Sequence, residues 1–203
     1  MGDAAGWVES HVFAPWRRRL WSGVAGGLVL EVGVGSGPNI PYYPANAKVT
    51  AVDVNPGRIE AARQRALALG SPVELRVMNS ERLDFPDAAF DSAVATLVFC
   101  SVPDPVQGLR ELGRVVKPGG DIRLVEHVRI DRPVIGRLMD WLDPVMMLLG
   151  GEHLNRRTVA NVIRSGLQLV SVEDLTRGGL VKLIAARSPC RLTESGSKYQ
   201  KGR

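Results

Sequence analysis

The chain has 203 residues, enough for one domain with a sizeable core and too few for two. Hydrophobic residues make up 45% and charged residues 23%, and no run approaches the roughly 20 apolar residues that a membrane span needs. The net charge of +5 excludes little, because Arg187, Arg191, Lys198, Lys201 and Arg203 stand against Glu194 alone in a Ser/Gly-rich end; with no aromatic residues interleaved among basic ones, no nucleic-acid partner is expected.

Trp7 to Trp21 opens the chain with bulky apolar residues around Arg17-Arg18-Arg19, and residues 1–22 are predicted to form a helical cover. No long apolar stretch follows the basic cluster, so no secretory signal is read and a cytoplasmic location is expected. Leu28 to Val32 is the first predicted strand, followed by a glycine loop and a brief helix at Pro38-Asn39-Ile40. Val49 to Asp53 is the second. Asn55 reads as an N-cap with Pro56 at the first helical position, and the helix runs to Leu69, where Gly70 ends it. Val73 to Met78 and the apolar run Asp91 to Val98 are the next strands. Asp104 and Pro105 start a helix that ends near Val116, before a turn at Lys117-Pro118-Gly119-Gly120. Ile122 to Val128 is the fifth strand. Asn155 is predicted to cap a helix with Val159, Val162 and Ile163 on one face, closed by Gly166. Leu167 to Val172 and Leu180 to Ala186 complete the set. Short apolar runs alternating with helical patterns predict an α/β fold whose mostly parallel sheet is covered on both faces. Residues 1–187 form the predicted domain, and 188–203 a basic, disordered tail.

The strongest signal is Glu31-Val32-Gly33-Val34-Gly35-Ser36-Gly37, a strand running into a Gly-x-Gly-x-Gly loop. Glycine there lets a ligand approach the backbone and permits a tight turn. Free backbone N–H groups at the start of the helix that follows favour an anionic group. Asp53 ends the second strand, where in this architecture an acid accepts hydrogen bonds from both ribose hydroxyls; Val54 can pack on an adenine face. A nicotinamide-binding site is the other reading. It expects Gly-x-Gly-x-x-Gly, whereas Pro38 stands here where the third glycine should.

With Ser80 to Asp87, Phe90 to Val94 and Glu111 to Gly120 added, the chain resembles the class I S-adenosylmethionine-dependent methyltransferases over roughly residues 16–186. The resemblance implies a Rossmann-like, doubly wound, seven-stranded sheet with an antiparallel final strand. It implies S-adenosyl-L-methionine as cofactor and roles for particular residues. Gly33, Gly35 and Gly37 would surround its methionine part, Glu31 would support the loop, and Asp53 would hold the ribose. Asn79 and Ser80 would contact adenine; Thr96, Leu97 and Val98 would lie beneath the sulfonium. Thr96 to Val102, Glu126-His127-Val128, Leu142-Asp143-Pro144 and His153 to Arg156 are similar to the subgroup that contains alkyl-thiol methyltransferases, whose members often carry cysteine where Glu152 stands here.

Methyl transfer from a sulfonium is a direct displacement, so alignment does most of the work and a base is needed only for a protonated acceptor. His127, at the end of the fifth strand, is the candidate catalytic base; its other reading is a histidine that anchors the following loop. Glu126 alternates to the opposite face, where it could orient a neighbour or the lid. His153 reads as a cap or lid anchor, and His11 as a surface residue. Cys100 reads as a small packed residue, with a reactive thiol as the alternative, and a bridge to Cys190 is not expected. No metal site is predicted. The apolar insert at residues 129–153 reads as a small helical lid over an apolar substrate, completed by Trp7, Trp16, Leu20 and Trp21, with a helix merely packed on the domain as the alternative. Pro15 to Trp21 has a second reading as a basic helix in peripheral contact with a membrane. The expected activity is transfer of a methyl group to a small, fairly apolar acceptor: a thiol, a phenol or a quinone-like ring. A nicotinamide-dependent oxidoreductase and a non-catalytic cofactor-binding scaffold are the alternatives.

Overall fold

The computed structural model describes residues 7–130, 133–150 and 155–190. Seven strands form one sheet: β1 (Gly27–Val32), β2 (Ala47–Asp53), β3 (Glu74–Val77), β4 (Phe90–Thr96), β5 (Val116–His127), β6 (Gln168–Asp174) and β7 (Val181–Arg187), in the order β3-β2-β1-β4-β5-β7-β6. β1 to β5 are mutually parallel, and β7 runs antiparallel between β5 and β6. The helices are α1 (Ala14–Trp21), α2 (Pro56–Leu69), α3 (Pro105–Val115), α4 (Pro133–Gly150) and α5 (Thr158–Arg164).

Alternation along each strand sends apolar side chains to both faces, and helices close both. On one face Leu20 and Trp21 of α1 and Ile59 and Ala62 of α2 pack with Val29, Val49 and Val94. On the other, Leu109 and Leu112 of α3 and Val162 of α5 pack with Leu30, Val52, Ala93 and Leu124. This is the doubly wound architecture expected from the sequence. The connection from β3 to β4 has no helix. It is held by Arg114 of α3, which donates to the Leu83 and Phe85 carbonyls and the Asp87 and Glu111 carboxylates, each at 2.8 Å.

The punctuation of the helices follows the residues. Asn55 has extended backbone angles and accepts from the Gly57 and Arg58 N–H groups, Pro56 follows, and Gly70 closes α2 at φ 62°. The Asp104 carboxylate accepts from the Gln107 N–H in the same way.

Several expectations are corrected. β4 ends at Thr96 because Leu97 turns to φ 56°. The Lys117–Gly120 turn lies inside β5 as a wide bulge: Phe90 faces Val116, and Ser92 faces Asp121. The brief helix after the glycine loop is a 3-10 turn at Ile40–Tyr42, which leaves Asn39 outside it with its side chain buried. Asn155 does not cap α5; the cap position is Arg157, while the Asn155 N–H donates to the Asp143 carboxylate at 3.2 Å. Ile163 is exposed rather than on the buried face. Ser188 is buried and its hydroxyl donates to the Gly113 and Val116 carbonyls, so packing extends one residue past the expected domain end.

Among the described residues, the N-terminal aromatic residues pack under the sheet or face solvent. Leu20 and Trp21 are core residues under the sheet, Trp16 packs beside them, and Trp7 is exposed. The insert itself holds α4, gripped by a two-pronged ion pair from Arg129 to Asp140 at 2.9 and 2.8 Å. Val134, Leu138 and Trp141 share one side of α4 and are 81%, 54% and 74% exposed. The roles expected of Glu152 and His153 fall outside the described residues, as does most of the expected tail. Among the described residues, no helix is long and apolar enough to cross a membrane.

The cap of α2 gives a measurable prediction. Asn55→Ala leaves two first-turn N–H groups without their acceptor and should lower unfolding stability by about 1 kcal/mol, read as a lower urea midpoint at unchanged slope.

Candidate functional site

The C-terminal ends of β1, β2 and β4 meet where the strand order reverses, the place at which open α/β sheets leave a crevice. The Gly33 and Val34 N–H groups both donate to the Val52 carbonyl, at 2.8 and 3.1 Å, and lay the loop against the end of β2. The three glycines then serve different needs. A Cβ on Gly33, at φ 71°, would stand 2.3 Å from a Val98 methyl, and one on Gly37 would stand 2.5 Å from the Ile40 side chain. A Cβ on Gly35 would meet nothing within 4 Å, so the backbone there borders open space.

The Asp53 carboxylate turns toward this loop. Its Oδ2 accepts from the Gly35 N–H at 3.0 Å and its Oδ1 from the Asn55 N–H at 2.9 Å. A carboxylate has about four acceptor sites, so two remain for hydroxyl donors. Asp53 lines a cavity of about 300 Å³ together with Val54, Met78, Asn79, Ser80 and Val102. A second cavity, of about 330 Å³, is bordered by Gly35, Ser36, Thr96, Arg17 and Arg58. Gly33, Arg58 and Leu97 line both.

Nine of the residues expected around the cofactor are therefore gathered around two adjoining cavities: Gly33, Gly35, Asp53, Val54, Asn79, Ser80, Thr96, Leu97 and Val98. Val54 is 67% exposed, available to pack on a flat ring. The Asn79 side chain is folded into its own turn: it accepts from the Glu81 N–H at 2.9 Å and donates to the Glu81 carboxylate at 3.2 Å. Leu97, at φ 56°, sits in a region that non-glycine residues rarely occupy, and the bend is held from behind. Its N–H donates to the Val125 carbonyl at 2.7 Å, and the buried Glu126 carboxylate accepts from the Val98 and Phe99 N–H groups at 3.0 and 3.1 Å. Glu126 thus orients a neighbour of the site, one of the two roles foreseen for it.

Glu31 and Gly37 lie behind the loop rather than in its opening. Glu31 is fully buried and accepts from the Asn39 amide at 2.6 Å and from the Tyr43 hydroxyl. Asn39 also donates to the Thr96 hydroxyl at 3.0 Å and accepts from the Arg17 guanidinium at 3.0 Å. Burial pushes the Glu31 carboxyl up from its ordinary 4.5 to about 7, against the pull of the Tyr43 and Asn39 bonds and the Arg17 charge. Burial, reinforced by the neighbouring Glu31, holds the Tyr43 phenol well above its usual value. Arg17, Asn39, Tyr43 and Arg58 were not foreseen. Arg17 carried a signal, since its spacing from Ala14, Leu20 and Trp21 puts a cation on the apolar face of a helix.

His127 is the last residue of β5, opposite Val181, and is half-buried. It lines neither cavity. His11 is a surface residue stacked on Trp7. Cys100 is buried and Cys190 exposed, and no disulfide joins them.

The buried Glu31 makes stability depend on pH. Between about 4.5 and 7 the folded chain holds a proton that the unfolded chain releases, so this group's contribution is largest at low pH and is lost as pH rises through 7. The loss is on the order of 3 kcal/mol. Glu31→Gln should flatten the dependence of Tm on pH between 5 and 8, measured by thermal unfolding.

Comparison with known proteins agrees with this geometry. Residues 30–124 match the family described as Methyltransferase domain. The chain is 40% identical over 159 residues to phosphatidylethanolamine N-methyltransferase of Cereibacter sphaeroides, covering 76% of this chain and 77% of that protein. It is 36% identical over 181 residues to thiol S-methyltransferase TMT1A of Homo sapiens, covering 83% and 74%. Among solved structures, geranyl diphosphate C-methyltransferase from Streptomyces coelicolor A3(2), in complex with Mg2+, geranyl diphosphate and S-adenosyl-L-homocysteine, superposes with a TM-score of 0.71 at 15% identity over 88% of this chain and 81% of that one; the likeness is one of fold. With a glycine loop, a facing Asp53 and relatives of this kind, the chain belongs to the class I S-adenosylmethionine-dependent methyltransferases.

Proposed function

We propose that this methyltransferase acts on a small, fairly apolar acceptor, a thiol, a phenol or a quinone-like ring, that reaches the methyl group beside α4. The observation that supports this is how α4 is tied to the cavity rim. Asp143 of α4 holds the Asn155 N–H, and the adjacent Arg156 donates at 2.9 Å to the carbonyl of Val102, which lines the 300 Å³ cavity. S-adenosylmethionine supplies the activated methyl group, so the chain has to orient the acceptor and keep water out. In this reading α4 is the lid, and its outward apolar side, Val134, Leu138 and Trp141, touches an apolar phase from which the acceptor arrives. That peripheral contact replaces the one foreseen for Pro15–Trp21, whose Leu20 and Trp21 are core residues. A cytoplasmic location belongs to the same reading and suits two unbridged thiols.

The amine of a phospholipid headgroup is a second acceptor class. It is favoured by the 40% identity to a phosphatidylethanolamine N-methyltransferase. For a thiol or hydroxyl, His127 is the proposed base; it ends β5, the strand beside β4, which ends at Thr96.

A labelled-methyl assay with alkyl thiols, phenols, a quinol and vesicles containing phosphatidylethanolamine separates these classes. Turnover is expected with a thiol, phenol or quinol, and turnover of the vesicles alone would move the assignment to the lipid amine. Asp53→Ala should weaken S-adenosylhomocysteine binding at least tenfold by calorimetry, since it removes a charged partner of two ribose hydroxyls. His127→Asn should lower turnover of a thiol by roughly 100-fold or more without changing that binding; unchanged turnover would leave His127 as a loop anchor.

A further inference from the structure

Glycine weakens the interior of a helix, because it orders a flexible backbone and packs no side chain. Gly136 nevertheless stands inside α4, and it is buried. Its neighbour supplies the reason. A Cβ there would stand 2.6 Å from three atoms of the Arg129 guanidinium. Arg129 follows just past the end of β5 and lays its flat end group on the bare turn of the helix. Gly136 and Asp140 are one helical turn apart and share a face. The guanidinium that covers Gly136 therefore reaches the Asp140 carboxylate, donating from Nε at 2.9 Å and from Nη2 at 2.8 Å. The Arg129 side chain is 14% exposed, so the arginine half of the pair is shielded from water.

From this seat a series of directed bonds leads to the cavity. The Arg129 N–H donates to the Arg156 carbonyl at 2.9 Å. The Arg156 guanidinium donates in turn to the Val102 carbonyl at 2.9 Å, and Val102 lines the 300 Å³ cavity. A second tether lies beside the first: the Ile130 N–H donates to the sulfur of the buried Met139 at 3.4 Å. The position of α4 and the position of the cavity wall are thus set by neighbouring atoms of the same short segment.

We propose that Arg129 is a positioning residue for methyl transfer: seated over Gly136 and forked onto Asp140, it fixes how far α4 stands from the cavity rim, and with it the space in which the acceptor meets the methyl group. This role rests on the reading of α4 as the lid and supplies what seats it. A planar fork holds both the distance and the rotation of a helix, whereas a point charge holds only the distance. The requirement is strict, because a direct displacement misaligned by about 1 Å loses on the order of 100-fold in rate. Gly136 serves the same end, since any side chain at that position would lift the guanidinium off the helix.

The test uses the full chain, a long-chain alkyl thiol carried in phosphatidylcholine vesicles, and labelled-methyl turnover; phosphatidylethanolamine vesicles replace the thiol if they alone turn over. Gly136→Ala keeps both members of the ion pair and favours the helix, but displaces the guanidinium. It should lower kcat/KM for the acceptor tenfold or more while shifting the Kd of S-adenosylhomocysteine less than twofold. Arg129→Gln should match it, and Arg129→Lys, which keeps the charge and loses the fork, should fall between. Should Gly136→Ala fail to fold, Asp140→Asn carries the same expectation with Gly136 and Arg129 in place. Unchanged acceptor kinetics in these variants, or an equal loss of S-adenosylhomocysteine binding, would overturn the positioning role. Leu138→Ser combined with Trp141→Ser tests the lid separately. Loss of turnover there with Gly136→Ala unaffected removes the role of Arg129 alone, whereas no effect of either removes the lid reading with it.

Discussion

The hydrogen bond from the Gly35 N–H to the Asp53 carboxylate joins the ends of two adjacent parallel strands across the opening of the crevice. It exists because β1 and β2 pair in a register that lays Gly33 and Val34 on the Val52 carbonyl, one residue before Asp53. Shift that register by one residue and the carboxylate points to the other face of the sheet. With the register held, the loop needs no side chain to shape it: Gly33 fits against Val98, Gly37 against Ile40, and Gly35 stays open. The crevice is therefore a property of backbone geometry: a carboxylate and a glycine turn border one space where three strand ends meet.

Behind this opening stands a costlier arrangement. A carboxyl at Glu31, in the middle of a sheet and away from water, is unfavourable unless its oxygens are satisfied. Asn39 and Tyr43 satisfy them, and Arg17 adds a distant positive charge. The network links α1, the glycine loop and the end of β4 through Thr96. Its effect is conformational: three elements far apart in sequence share one set of directed bonds, so that the loop cannot move without disturbing the helix. A wholly apolar cluster at the same place would pack but would fix no orientation.

Much of the fold could be read from the residues because the signals were local. Asn55-Pro56 with Gly70, and Asp104-Pro105, each mark a helix end by a mechanism confined to a few residues, and the apolar runs were too short for anything but buried strands. The misreadings share a cause, namely competition from contacts distant in sequence. Asn155 looks like a cap, yet its N–H belongs to Asp143. Leu97 and Val98 look like strand, yet the Val125 carbonyl and the Glu126 carboxylate bend them out of it. Leu20 and Trp21 look like part of a cover, yet the sheet face over Val29 and Val49 takes them in. In the site, the placing of Gly33, Asp53 and Ser80 around the cavities was legible because it depends on position at or just beyond the end of a strand. Arg17, Asn39 and Tyr43 act only through partners that sequence order does not bring together.

The same distinction explains why the acceptor is harder to read than the cofactor. The cofactor side is built from strand ends and glycines, and any chain with this topology presents those groups at the same edge. In the proposed reading the acceptor side depends on the insert that carries α4, where identity resides in side chains rather than backbone. There the Arg129–Asp140 pair and the Asp143 bond to Asn155 fix where the helix attaches, while Val134, Leu138 and Trp141 face outward. A helix that packed only as a structural prop would turn such residues inward, because leaving three large apolar side chains in water forgoes roughly 1.5–3 kcal/mol for each. In the proposed reading that cost is offset when the exposed side of α4, tied to the cavity rim through Asn155 and Arg156, meets an apolar surface during the catalytic cycle. The chemistry of the acceptor then follows from what such a surface can deliver to an opening beside Val102.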